Sequence, residues 1–288
     1  MQLMQTDLAG PRPVGLEPLL HSLQTRFGSA LQAIVLYGST RRSDNPRDGL
    51  VDLMAVVDDY RAAHGTTLTA LMNRLLPPNV YYLEAGDGSE RLRCKYIVIS
   101  ADHLARRTAG GLDGYFWARF TQPCRLAFAR DESAAMQVAT CRAQAAVHFA
   151  REASSRVEPK MPPSAFWEQA LRLTYGCELR PEPPGAAATL IGRDPEFWNE
   201  LSERLPPLAA GSLSGRLRWP LRRIWSRMLN ILRLFKAAGT FANGIDYLSW
   251  KLERHSGIRV EPTERMRRHP RLAAWGLLFR LIRSGALR

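Results

Sequence analysis

Lysine is scarce in this 288-residue chain: of 40 basic residues only Lys95, Lys160, Lys236 and Lys251 are lysines. A GC-rich coding bias gives the same ratio, so the excess of Arg carries no functional weight. Cysteine is scarce too. Cys94, Cys124, Cys141 and Cys177 are widely separated, form no CxxC pair, and stand beside six scattered histidines with no HExxH. That excludes the common zinc-site spacings and reads as buried thiols in a reducing compartment. No apolar run approaches the roughly 20 residues that cross a bilayer. The first ten residues have neither a basic stretch nor an apolar core, and lack the Arg-rich look of a transit peptide. The expectation is a cytoplasmic chain without a signal peptide. At 45% hydrophobic residues, wholesale disorder is excluded.

What the sequence has is positive charge in one place. The formal net charge is +13, and from Arg216 to Arg288 there are 17 Lys+Arg against 4 Asp+Glu, so the first 215 residues balance at 23 of each sign. A neutral body with a basic tail points to an anionic partner, nucleic acid or membrane.

Leucines 16, 19, 20 and 23 have helical spacing and stop at Gly28. Ala33–Tyr37 and Leu50–Val57 are short apolar runs that read as buried strands, joined by a polar loop over 40–49. A helix over 68–76 precedes Pro77-Pro78, and 80–84 with 91–100 reads as a hairpin. The order predicts an α/β domain with a mixed sheet over 1–130. A helical domain over 131–215 follows, with a winged-helix-like arrangement as one option. Residues 216–288 form a basic amphipathic helical region.

The chemistry gathers in two places. Tyr37-Gly38-Ser39 closes a strand, where Gly lets a backbone approach a phosphate and the Ser39 N–H and hydroxyl can cradle it. Thirteen positions on, Asp52 lies inside an apolar strand, where an acid must be paired or ligated. The layout matches the DNA polymerase beta-like nucleotidyltransferases, in which the strand acid holds Mg²⁺ against nucleotide phosphates. A buried partner of an arginine is the competing reading of Asp52. The superfamily places a second acid two residues on; here that position is Met54, leaving Asp48, Glu84 and Glu90 as candidates. Lys95, opposite in face to Leu92, Cys94 and Tyr96, could neutralise a triphosphate or simply be solvated.

In several ordered blocks over residues 30–182 the chain resembles the mitochondrial translocator assembly and maintenance family, peripheral CTP:phosphatidate cytidylyltransferases. The blocks are Tyr37-Gly38-Ser39, the strand from Val51 to Asp59 with its single internal acid, and Asn79 to Tyr82. Lys95-Tyr96, Arg119 to Pro123 and Tyr175 to Arg180 continue the series. The family's Gly-Ser-Gly continues here as Gly38-Ser39-Thr40, followed by Arg41-Arg42. The resemblance implies transfer of CMP from CTP to phosphatidic acid, giving CDP-diacylglycerol and pyrophosphate. It implies Tyr37, Gly38 and Ser39 on the nucleotide phosphates, Asp52 on Mg²⁺, and Lys95 stabilising charge. Glu178 and Arg180 would close the site on the substrate.

In the tail, Leu221, Ile224, Trp225, Met228, Ile231, Leu232 and Phe235 form one apolar face bordered by Arg222, Arg223, Arg227 and Arg233. Residues 271–283 repeat the style. This is the pattern of helices lying on an anionic membrane surface, here the inner face of the cell membrane. Packing on the body is the competing reading. Nucleic acid is the less favoured partner, because stacking platforms belong in a basic groove rather than on an apolar face. Two rival functions stay open: nucleotidyl transfer to RNA or a soluble small molecule, and a non-catalytic membrane-binding protein with a degenerate nucleotide site.

Overall fold

The computed structural model describes residues 1–42, 45–86, 90–178, 185–208 and 213–240, together with positions 263, 264 and 266. The apolar runs become β1 (Leu31–Tyr37) and β2 (Val51–Val57), central in a sheet completed by β3 (Asn79–Ala85), β4 (Leu92–Ser100) and β5 (Arg125–Ala129). The strand order is β3-β4-β2-β1-β5. β2 and β4 run parallel and every other pair is antiparallel, so the sheet is mixed, as the sequence predicts.

Alternation along each strand gives the sheet two apolar faces. Ile34, Leu36, Leu53, Ala55, Tyr96 and Val98 face one core, with Leu19, Leu20 and Leu23 of α2 (Glu17–Phe27). Tyr60 of α3 (Tyr60–His64) and Ala70 of α4 (Thr67–Leu75) close that side. Val35, Met54, Val56, Ile97 and Ile99 face the other core, shared with α1 (Gln2–Ala9), α5 (Ala101–Ala109), α6 (Gly114–Thr121) and α7 (Glu132–Ala153). Each such aliphatic side chain contributes roughly 1.5–3 kcal/mol on full burial. Met54 is one of them, which accounts for the missing second acid: its position is core.

The same core continues through α8 (Pro163–Tyr175), α9 (Ala186–Arg193) and α10 (Pro195–Glu203), around Trp167 and Trp198. Arg142 of α7 is fully buried. Its guanidinium donates to the carbonyls of Met4, Phe120 and Gln122 and pairs with Asp7 at 2.8 Å, tying α1, α6 and α7 together.

The last described helix, α11 (Leu213–Thr240), docks in an inverted sense. Trp219, Arg222, Ser226, Leu229, Arg233 and Lys236, at spacings of three and four, are its buried residues. Leu217, Leu221, Ile224, Trp225, Met228, Ile231 and Leu232 are exposed. The arginines expected to border the apolar face are therefore divided, with Arg222 and Arg233 turned into the body. Pro220 within the helix has no N–H to give the Arg216 carbonyl, and Arg156 supplies the missing donor at 2.9 Å. Trp219 Nε1 donates to Ser155 Oγ at 3.0 Å. Arg222 donates to Glu152 Oε2 at 2.9 Å and to the Leu112 carbonyl at 3.2 Å, stacked between Trp117 and Trp219. Arg233 pairs with Asp113 and donates to the Pro77 carbonyl, and Lys236 donates to the carbonyls of Leu76 and Pro78. Part of the tail's basic charge is thus engaged within the molecule. Phe235 and the second tail pattern, 271–283, lie outside the residues whose side chains are described.

Candidate functional site

Strand register builds the site. β1 pairs Tyr37 with Asp52, β2 pairs Asp52 with Lys95, and β4 pairs Lys95 with Tyr82, so four side chains form one row at one end of the sheet. Lys95 Nζ lies 3.1 Å from Asp52 Oδ1. That separation pairs the charges without the alignment of a hydrogen bond, and Oδ1 is a buried carboxylate oxygen with no hydrogen-bond donor. Cys94 and Tyr96 point into the opposite core, as the alternation predicts. Lys95 therefore faces Asp52 and remains partly solvated.

Gly38 is required twice over. Its φ is +78°, a left-handed conformation that L side chains avoid. A Cβ there would also meet Asp52 Oδ2 at 2.8 Å. The chain thus passes directly over the carboxylate, leaving a cradle that any side chain would fill.

Ser39 is exposed and opens a single 3₁₀ turn, Ser39–Arg42. Thr40 Oγ1 fastens the turn to the Leu50 carbonyl at 2.8 Å. The buried Arg41 donates to both oxygens of Asp194, at 3.0 and 2.8 Å, and Arg42 pairs with the same carboxylate. Burial, and then the neighbouring Arg41, lower the Arg42 pKa to about 10. Where the family pattern has Gly-Ser-Gly, this chain has a turn clamped to the junction of α9 and α10.

Arg119 enters from α6, a site residue to which the sequence pattern assigns a family block but no role. Its guanidinium lies 4.3 Å from the Tyr115 ring centroid and 3.9 Å from Glu178 Oε1. Burial opposes its charge, but Tyr115, Glu178, Tyr37 and Asp52 outweigh burial and raise its pKa. Burial, then Tyr115 and Asp52, push the Tyr37 hydroxyl well above its ordinary range, so Tyr37 acts here as a neutral group. Asp113 caps α6 by accepting from the Tyr115 N–H at 3.2 Å. The i,i+4 spacing of Tyr115 and Arg119 on a capped helix is the local signal that points to them.

The structure thus gathers Tyr37, Gly38, Asp52 and Lys95, with Ser39 leaving from the Gly38 corner and Glu178 reaching the group through Arg119. Arg180 lies outside the described residues, as does the Asp48 side chain. Glu84 accepts from Tyr82 Oη at 2.6 Å and faces Arg91 and Arg93, at 3.5 and 3.6 Å. Glu90 pairs with Arg47. Neither acid stands beside Asp52 as a second ligand. Among the described residues no group of three His, Cys, Asp or Glu side chains could hold a metal ion. One carboxylate with an undonated oxygen fits a Mg²⁺ that takes its other ligands from phosphates and water, and does not fit an all-protein cage.

No protein family and no curated protein matches the chain. Among solved structures it is similar to a nucleotidyltransferase-like protein from Exiguobacterium sibiricum 255-15. The identity is 13% and the TM-score 0.31, over 94% of this chain and 92% of that one. No described helix is long and apolar enough to cross a membrane.

Proposed function

We propose that the chain is a nucleotidyltransferase that moves CMP from CTP to phosphatidic acid at a membrane surface. The observation that carries this reading is the Gly38 backbone lying against Asp52, with Lys95 Nζ 3.1 Å from the carboxylate. A glycine corner above a strand-borne carboxylate and a lysine is an arrangement for holding phosphates and their counter-cation.

In this reading an oxygen of the phosphatidic acid phosphate bonds to the α-phosphorus of CTP. The α–β phosphoanhydride breaks and pyrophosphate leaves with the electron pair. No covalent enzyme intermediate is needed, so positioning and charge neutralisation do the work. Asp52 would hold Mg²⁺, which when bound neutralises and orients the phosphates. Gly38 and Ser39 offer backbone N–H groups and a hydroxyl at the corner. Neutral Tyr37 can donate a hydrogen bond without adding negative charge. Lys95 and Arg119 supply positive charge that acts on Asp52.

The exposed apolar row on α11, with the exposed Arg223 and Arg227 beside it, supports a peripheral membrane partner. Among the described residues of that row Trp225 is the only exposed aromatic side chain, which argues against a stacking platform for nucleic acid.

The test combines CTP, phosphatidic acid liposomes and Mg²⁺ and looks for CDP-diacylglycerol. Asp52→Asn is expected to abolish product while circular dichroism and melting temperature stay near wild type. Near-normal turnover by that variant sinks the assignment.

A further inference from the structure

Two polar groups on the inner side of α11 are buried and have no hydrogen-bond partner: Arg222 Nη1 and Ser226 Oγ. Their residues are 1% and 6% exposed. Leaving such a group unsatisfied costs about 1–3 kcal/mol, and more for a charged one. Ser226 has the usual helical alternative of donating to the carbonyl four residues back, and does not use it. Arg222 cannot turn to find a partner, because Glu152, the Leu112 carbonyl and two tryptophan rings fix its guanidinium.

Both residues line one cleft, between α6, the end of α8 and α11, together with Tyr115, Arg119, Glu178 and Asn230. The cavity volume is about 30 Å³, room for water-sized groups such as individual oxygens and far too little for a nucleobase. Two arginines line the cleft, Arg222 on α11 and Arg119 at its other wall. Burial raises the pKa of Cys177, which also lines it, and Arg222, Arg223 and Arg227 oppose that rise. The two carboxylates present are engaged: Asp113 with Arg233, and Glu178 with Arg119. Arg119, which lines the cleft, also feels the charge of Tyr37 and Asp52 in the row at the sheet end.

We propose that this cleft is the subsite for the acceptor's phosphomonoester, with Arg222 Nη1 and Ser226 Oγ donating to its oxygens and Arg119 linking it to Asp52. As an acceptor site the assignment rests on the nucleotidyl-transfer reading above. Phosphate oxygens fit the narrow cavity, whereas the body of the acceptor stays outside it.

The experiment uses the full chain without nucleotide or metal and measures thermal stabilisation by inorganic phosphate, glycerol 3-phosphate and dioctanoyl phosphatidic acid. CTP with Mg²⁺ is titrated separately. Ser226→Ala removes one donor and almost no packing volume, and is expected to weaken all three phosphate ligands five- to tenfold while leaving CTP affinity within twofold. Arg222→Lys keeps the charge but loses Nη1, and is expected to weaken them further. Tightest binding of the dioctanoyl lipid identifies an apolar acceptor; equal binding of all three identifies the phosphate alone as recognised, and both outcomes uphold the subsite. Unchanged phosphate affinity in Ser226→Ala overturns it, as does an equal loss for CTP, which would assign the cleft to the nucleotide. Failure of the nucleotidyl-transfer reading shows elsewhere, as wild-type protein that does not bind CTP.

Discussion

Replacing Gly38 with Ala separates the site's geometry from the fold's stability. Two effects combine at this position. The backbone, at φ +78°, charges any L residue about 1–2 kcal/mol. The new Cβ would also stand 2.8 Å from Asp52 Oδ2, so the carboxylate has to swing away and give up its place beside Lys95. Gly65 provides the control, since it too is left-handed, at φ +64°, and a methyl group there would meet nothing within 4 Å. Gly65→Ala should therefore lose the strain alone, about 1 kcal/mol in a urea titration. Gly38→Ala should lose a similar amount or slightly more, because Asp52 is partly solvated and can reorient. The activities should diverge sharply. A displacement of about 1 Å at a reacting centre can lower turnover about a hundredfold. CDP-diacylglycerol formation by Gly38→Ala should fall at least that far while Gly65→Ala stays near wild type. Equal activity in the two variants would refute the idea that backbone contact with Asp52 serves the chemistry.

Three further outcomes follow from the packing. His64 Nε2 accepts from Asn73 Nδ2 at 3.0 Å, so the ring is neutral, and burial followed by Arg26 and Lys236 lowers its pKa to about 4. Its folded pKa lies below the unfolded value, so its contribution to stability is full above about 6.5 and is lost as pH falls toward 4. His64→Gln should remove roughly 2 kcal/mol of that acid sensitivity, allowing for partial exposure, in urea midpoints compared at neutral and acid pH. Asp194→Asn leaves buried Arg41 without its counter-charge and should lower stability by about 3 kcal/mol in the same assay. Ile224→Glu, at a residue 69% exposed, should leave stability within about 0.5 kcal/mol yet weaken liposome flotation at least tenfold.

The sheet is legible in the sequence because its strands announce themselves: 31–37 and 51–57 are apolar almost throughout, and alternation around Lys95 assigns that lysine its face. β5 is not legible, because Arg125-Leu-Ala-Phe-Ala129 is short and its ends are half-buried. The row of Tyr37, Asp52 and Lys95 is legible in composition, but only cross-strand register brings residues 43 positions apart into contact. Asp194 holding Arg41 leaves no trace in the sequence, since it lies 153 residues away and nothing local marks it as a partner. The orientation of α11 runs against its pattern. An apolar stripe on an amphipathic helix ordinarily faces the core, and what reverses it is particular: Glu152, Asp113 and the carbonyls of residues 76–78 receive Arg222, Arg233 and Lys236.

That reversal gives α11 a different thermodynamic character from the rest of the molecule. The two cores around the sheet are held by apolar burial, which weakens on cooling and carries a large heat-capacity increment. The seat of α11 is mostly ion pairs and N–H···O=C bonds, and exposing polar surface lowers heat capacity rather than raising it. Loss of this helix should therefore appear in calorimetry as a transition with little offset between the baselines before and after it, and cooling should leave its grip intact while the sheet's cores loosen.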